Sequence, residues 1–119
     1  MEIEFYETSN GRHPAEEFID KQSLKMQAKI ASEIDYLKKI GINLRMPHSE
    51  KISGEIFQLR AQADGDKARV LYFFVVGNKA VLTNGFIKKT NKTPPKEIET
   101  AEKYRQEYLK RQGEKNADV

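Results

Sequence analysis

The run "KARVLYFFVV", from Lys67 to Val76, constrains the fold of this chain more than any other stretch. Its β-branched and aromatic side chains are crowded on a helix and fit a pleated surface. Lacking the strict alternation of a half-exposed strand, the run reads as a central strand covered on both faces. Gly77 and Asn78 follow as a two-residue hairpin signal, and "KAVLTNGFIKK" then supplies a second strand. Ahead of the run, "EIFQLRA" sets Phe57, Leu59 and Ala61 on one side and Ile56, Gln58 and Arg60 on the other. Three strands in quick succession predict a meander.

A meander needs a cover, and the rest of the chain supplies candidates. "MEIEFYE" alternates Ile3 and Phe5 with Glu2 and Glu4, which predicts an amphipathic first strand. Pro14 suits the first position of a helix, and Glu16 and Glu17 suit its dipole. In "SLKMQAKIASEIDYLKKIG", Ser23 is placed to cap a second helix and Gly41 to stop it. Met26, Ile30, Ile34 and Leu37 form its apolar row, so the two helices are expected to lie on the sheet as a hairpin. Residues 42–54 lack periodicity and contain Pro47 and Gly54, and read as a loop. After Pro94 and Pro95, Ile98, Ala101, Tyr104 and Tyr108 share one side of a final helix. The expected class is α+β: a small, mostly antiparallel sheet of an N-terminal strand plus the meander, an N-terminal helix pair and a C-terminal helix. With 119 residues, one domain over 1–112 and a polar tail over 113–119 are expected.

Composition then narrows the chemistry. The sequence contains no cysteine, which removes disulfides, thiolate metal sites and cysteine nucleophiles. No basic-then-apolar leader and no stretch of membrane-spanning length is visible, so a cytoplasmic protein without a membrane partner is expected. Net charge is only +3, but its distribution is uneven. Residues 51–96 hold nine Lys or Arg against three acids, a local +6 that leaves the remainder at −3. A basic half on a nearly neutral chain points to an anionic partner, nucleic acid foremost.

Counting residues outward from the turns places these charges. If Asp64 and Gly65 form the first turn, Arg60 lies opposite Arg69; if Gly77 and Asn78 form the second, Val76 lies opposite Lys79 and Arg69 opposite Phe86. Directly opposed residues point to the same side. Arg60, Arg69 and Lys88 therefore converge on one face, with Gln58 and Asn84 as polar neighbours. Phe57, Leu59, Val70, Tyr72, Phe74, Val81 and Ile87 take the other face, under the helices. Opposed like charges cost a sheet about 0.2–1 kcal/mol, which a bound anion would offset.

In order and spacing, "EIFQLR", "DKARVLYFF" and "LTNGFIKKTNKTPPKEIETA" resemble the HigB-like branch of the RelE/ParE toxin superfamily, a group of phage-derived toxin proteins. The resemblance covers roughly residues 1–111, and its most specific piece is "GFIKKT" followed by lysine, proline and a helix. It implies the toxin half of a toxin–antitoxin pair, with a cognate antitoxin of helix-turn-helix type as partner. It further implies a ribosome-dependent endoribonuclease acting on mRNA, with Arg60, Arg69 and Lys88 or Lys89 around the scissile phosphate. The ParE branch, which inhibits DNA gyrase, and a non-catalytic RNA- or protein-binding module are the alternatives on the same scaffold.

In-line attack by a ribose 2′-hydroxyl needs a proton acceptor, a donor to the leaving oxygen, and positive charge around the transition state. Arginine and lysine supply the last, and no metal or other cofactor is required. Relatives place a tyrosine or histidine near the C-terminus for proton transfer or stacking, and this chain has neither between Phe86 and Tyr104. His48 is left as the candidate acid or base. Phe86 is a candidate for stacking a base, and Lys92 and Lys96 for guiding the RNA beside the site.

Overall fold

In the computed structural model, which describes residues 1–117 with side chains through Glu114, the apolar run becomes the middle of a five-stranded sheet. The elements in chain order are β1 (Glu2–Phe5), α1 (Pro14–Asp20), α2 (Leu24–Ile40), β2 (Ser49–Ser53), β3 (Ile56–Ala63), β4 (Asp66–Val75), β5 (Lys79–Ile87) and α3 (Pro95–Ala117). The strand order is β1-β5-β4-β3-β2, parallel between β1 and β5 and antiparallel elsewhere. The class is the expected α+β.

Both faces of β4 are covered, as its composition requires. On one face Leu59, Val70, Tyr72 and Leu82 bury against Met26, Ile30 and Leu37 of α2 and Ala15 of α1. On the other, Ile56, Leu71, Phe73, Val81 and Phe86 bury against Ala101 and Tyr108 of α3. The charged face expected from the register count is therefore half apolar. The basic residues occupy only the end of it that α3 leaves open. Val81 also changes sides, pairing with Phe73 and lying under α3 rather than under the N-terminal helices.

The local signals act where they were read. The Ser23 hydroxyl accepts the Met26 N–H at 3.1 Å, and the Gly41 N–H donates to the Leu37 carbonyl at the end of α2. Asp64 and Gly65 both adopt positive φ, 51° and 84°, the conformation a two-residue hairpin turn needs. The second hairpin differs by one residue: Val75, not Val76, pairs with Lys79, so the connection is three residues long. A bulge near Thr83 then absorbs the offset, and Leu71 pairs with Asn84 and Arg69 with Phe86. Arg69 thus reaches the expected neighbour although the turn was read one residue short.

Residues 42–54 are more than a loop, since β2 pairs there with β3 at the sheet edge. Its hydroxyl anchor is Ser49, which is buried and hydrogen-bonded to the Tyr72 hydroxyl. At the C-terminus the α3 backbone remains helical through Gly113 to Ala117, inside the stretch expected to be a tail; residues 118 and 119 lie outside the described ones. Among the described residues, no helix is long and apolar enough to cross a membrane.

Candidate active site

Register builds the site. The β3–β4 hairpin sets Arg60 opposite Arg69, and β4–β5 pairing sets Arg69 opposite Phe86. One further bond, from the Lys88 N–H to the Lys67 carbonyl at 2.7 Å, carries the ladder just past β5. Arg60, Arg69 and Lys88 are thereby held at one end of the α3 face by backbone pairing.

Three adjoining concavities open around them. The first, about 270 Å³, is walled by Lys29 and Glu33 of α2 and by Pro47 and His48, and includes Arg60 and Arg69. The second, about 350 Å³, shares those two arginines and adds Lys67, Lys88, Lys89 and Asn91. The third, about 360 Å³, shares Lys88 and Asn91 and is bounded by Glu50, Lys51, Lys92 and Thr93. Shared walls make them one basic groove with the arginines and Lys88 between its compartments.

Arg69 is the residue hardest to account for by packing. It is 3% exposed, and its Nη1 donates to the Ala68 carbonyl at 2.9 Å. Its Nε is enclosed without a partner, the one such side-chain atom among the described residues. Burial first, and Arg60 second, lower the pKa of its guanidinium from the usual arginine value, with Glu50 opposing. A buried donor left unmatched costs about 1–3 kcal/mol. Lys88 is similarly disfavoured as a cation, by burial and then by Arg69 and Arg60. Arg60 is braced instead, Nη1 donating to the Pro47 carbonyl at 3.3 Å.

His48 lies on the same rim. Its Nδ1 is 2.8 Å from Glu33 Oε2, its ring is 4.5 Å from that of Tyr36, and its carbonyl accepts the Arg60 N–H at 2.9 Å. The other predicted residues divide. Because β5 ends at Ile87, Lys89 is released from strand alternation and lines the groove together with Lys88. Lys92 lines the third compartment, and Lys96 is exposed on the first turn of α3.

Gln58 and Asn84 are buried, with their amides already engaged. Gln58 donates to Glu50 and accepts from Thr93 at 2.8 Å; Asn84 donates to Glu97 and accepts from Thr83 at 2.7 Å. Both tie the 88–94 segment and the start of α3 to the sheet, so they shape the groove from behind. Phe86 is buried in the α3-side core, which leaves it no open ring face for a base. Tyr104 stacks on Tyr6 at 4.6 Å, and Tyr108 lies in the same core.

Two carboxylates at the site, Glu33 and Glu50, were not read from sequence. Glu33 stands four residues after Lys29 and looks like half of an ordinary helix-surface pair. Glu50 belongs to the strand hidden inside the supposed loop. Among the described residues, no group of three or more His, Cys, Asp or Glu could hold a metal ion.

Comparison with known proteins then decides the relationship. The model of the Gp49-like phage-derived proteins (DUF891) matches residues 17–106. The chain belongs to the Gp49-like family. That family is one of RelE/ParE-like toxins of toxin–antitoxin systems, so the Gp49-like chain is a member of a toxin family with an antitoxin as partner class. The match runs from within α1 to within α3 and takes in all three compartments. No curated protein matches the chain.

Proposed function

We propose that this Gp49-like chain is a toxin that cleaves mRNA on translating ribosomes, in the manner of the HigB-like branch, and that a cognate helix-turn-helix antitoxin neutralises it. The observation that carries the reading is Arg69. A fold has little reason to bury a guanidinium directly opposite another arginine unless an anion offsets the paired charge. A phosphodiester in the compartments that Arg60 and Arg69 line offsets their paired positive charge, and the forked donors of the two arginines suit its oxygens.

The chemistry follows from the groove. A ribose 2′-hydroxyl gives its proton to His48 as its oxygen bonds to the adjacent phosphorus. Arg60 and Arg69 hold the negative charge that gathers on the phosphoryl oxygens. The bond from phosphorus to the 5′-oxygen breaks, and that oxygen takes a proton from Lys88. An ammonium already disfavoured by burial and by two arginines gives up a proton more readily than a free lysine. The products are a 2′,3′-cyclic phosphate and a 5′-hydroxyl, and solvent restores both protonation states. Lys89 and Lys92 keep the flanking RNA in the groove, and Lys96 adds positive charge at its edge.

The test is brief induction in a bacterial host followed by mapping of mRNA 5′ ends. Wild-type protein is expected to arrest growth and produce discrete new ends. Arg69→Ala is expected to abolish both, with an unchanged circular dichroism spectrum. Growth arrest with intact transcripts and a DNA-damage response would instead support gyrase inhibition, and cleavage persisting in folded Arg69→Ala would overturn the site.

A further inference from the structure

Glu33 has no role in the chemistry above, yet its position is unusual for a helix-surface carboxylate. It lies on α2 between Ile30 and Leu37, both buried, and its side chain is only 18% exposed. Its hydrogen-bond partner is the His48 imidazole, 15 residues away in sequence and 2.8 Å away in space. A partly buried carboxylate facing one imidazole holds that ring by accepting Nδ1–H, which leaves Nε2 as the lone-pair nitrogen.

The rest of the ring's surroundings point the same way. Tyr36, one turn further along α2, packs against the ring with an interplanar angle of 35°. The His48 backbone is pinned at both ends, its N–H to the Arg45 carbonyl at 3.0 Å and its carbonyl to the Arg60 N–H. Nε2 makes no hydrogen bond with the described residues and is not enclosed, since Arg69 Nε is the one buried side-chain nitrogen or oxygen among them without a partner. His48 and Glu33 both line the compartment shared with Arg60 and Arg69. The ring is fixed on one nitrogen and open on the other.

We propose that Glu33 is a positioning residue that fixes the Nδ1–H tautomer of His48 and so makes Nε2 the acceptor of the ribose proton. The role rests on the nuclease reading above. Glu33 touches no substrate; it acts through the imidazole, much as a buried carboxylate orients the histidine in other acid–base sites.

The test combines nuclear magnetic resonance with cleavage kinetics. Long-range proton–nitrogen correlations of the His48 ring are expected to report Nδ1–H in the wild-type protein and mainly Nε2–H in Glu33→Ala. Cleavage of a defined mRNA in a reconstituted bacterial translation reaction is expected to fall about 100-fold or more in His48→Ala. Glu33→Ala is expected to lose about 10- to 100-fold, with partial recovery in Glu33→Asp. Because Glu33 acts through His48, adding Glu33→Ala to His48→Ala is expected to cost nothing further, whereas a merely structural role would lower both backgrounds alike. Glu33→Met, of similar volume but unable to accept the Nδ1–H, keeps the comparison valid if the alanine variant unfolds; it also is expected to lose at least tenfold. An unchanged tautomer, full activity in Glu33→Met, or an equal loss in both backgrounds would overturn the assignment while leaving the nuclease reading intact. A wild-type protein that cleaves no RNA would overturn both.

Discussion

Arg69 shows how far a single residue can be read before its environment is known. The sequence places it opposite Arg60 by counting from two turns, and the pairing is as counted. What counting cannot convey is depth: nothing in "KARVLYFF" tells that this guanidinium is enclosed, because depth depends on what lies around the sheet end, where Arg69 shares its compartments with Pro47, His48, Lys88 and Asn91. The same applies to Phe86, whose burial depends on where α3 lands. Depth also sets a testable conflict between stability and activity. Arg69→Met removes an unmatched buried donor and a like-charge pair while keeping most of the side-chain volume. It is expected to raise unfolding stability by about 1 kcal/mol, read from the urea midpoint at constant m-value, while cleavage disappears. A stability loss above that size would mean that the guanidinium is matched after all, by ordered water or a neighbour.

At the level of elements, caps and turns were legible because each depends on a few adjacent residues. Ser23, Gly41, Pro14 and the Asp64–Gly65 pair all act where their chemistry predicts. β2 was not, since an edge strand paired on one side needs no apolar run, and "SEKIS" shows solvent mostly serine and charge. The parallel pairing of β1 with β5 was equally hidden, being a contact between the two ends of the sheet sequence. The seat of α1 on β5 left one trace, the glycine of "TNGFIKK". A Cβ built at Gly85 would come 2.3 Å from Cδ2 of Phe18, the ring by which α1 seats on β5. The glycine is there so that a helix can approach the strand, upstream of the lysines it helps to aim. Gly85→Ala is therefore expected to destabilise the protein by about 1–3 kcal/mol. In a Phe18→Ala background the same substitution should cost clearly less, because the ring it collides with is gone. Equal costs in both backgrounds, measured by urea denaturation, would show that the added methyl does not act through the Phe18 ring.

Across the whole molecule, the sequence shows a charge block and the structure turns it into a path. The excess of +6 over residues 51–96 was visible by inspection. Continuity was not, because the groove is completed by Lys29, Glu33 and His48, which come from α2 and the segment after it, outside the run of strands that carries the arginines. Nor could composition tell that α3 shields half of that face and confines the charge to one end. A confined path makes a quantitative claim about salt. Binding of single-stranded RNA loses affinity with a slope of roughly 0.7 in log K per log salt for each phosphate neutralised. A 2′-O-methylated RNA, which lacks the attacking hydroxyl and cannot be cut, isolates binding from cleavage. Lys89→Gln and Lys92→Gln, in the second and third compartments, are each expected to reduce the slope by about 0.7 and to do so additively. Lys103→Gln, exposed further along α3, is expected to leave it unchanged, since it lies beyond the helix start that borders the groove. If all three substitutions reduced the slope alike, the RNA would be responding to net charge alone, and the path through the three compartments would not exist.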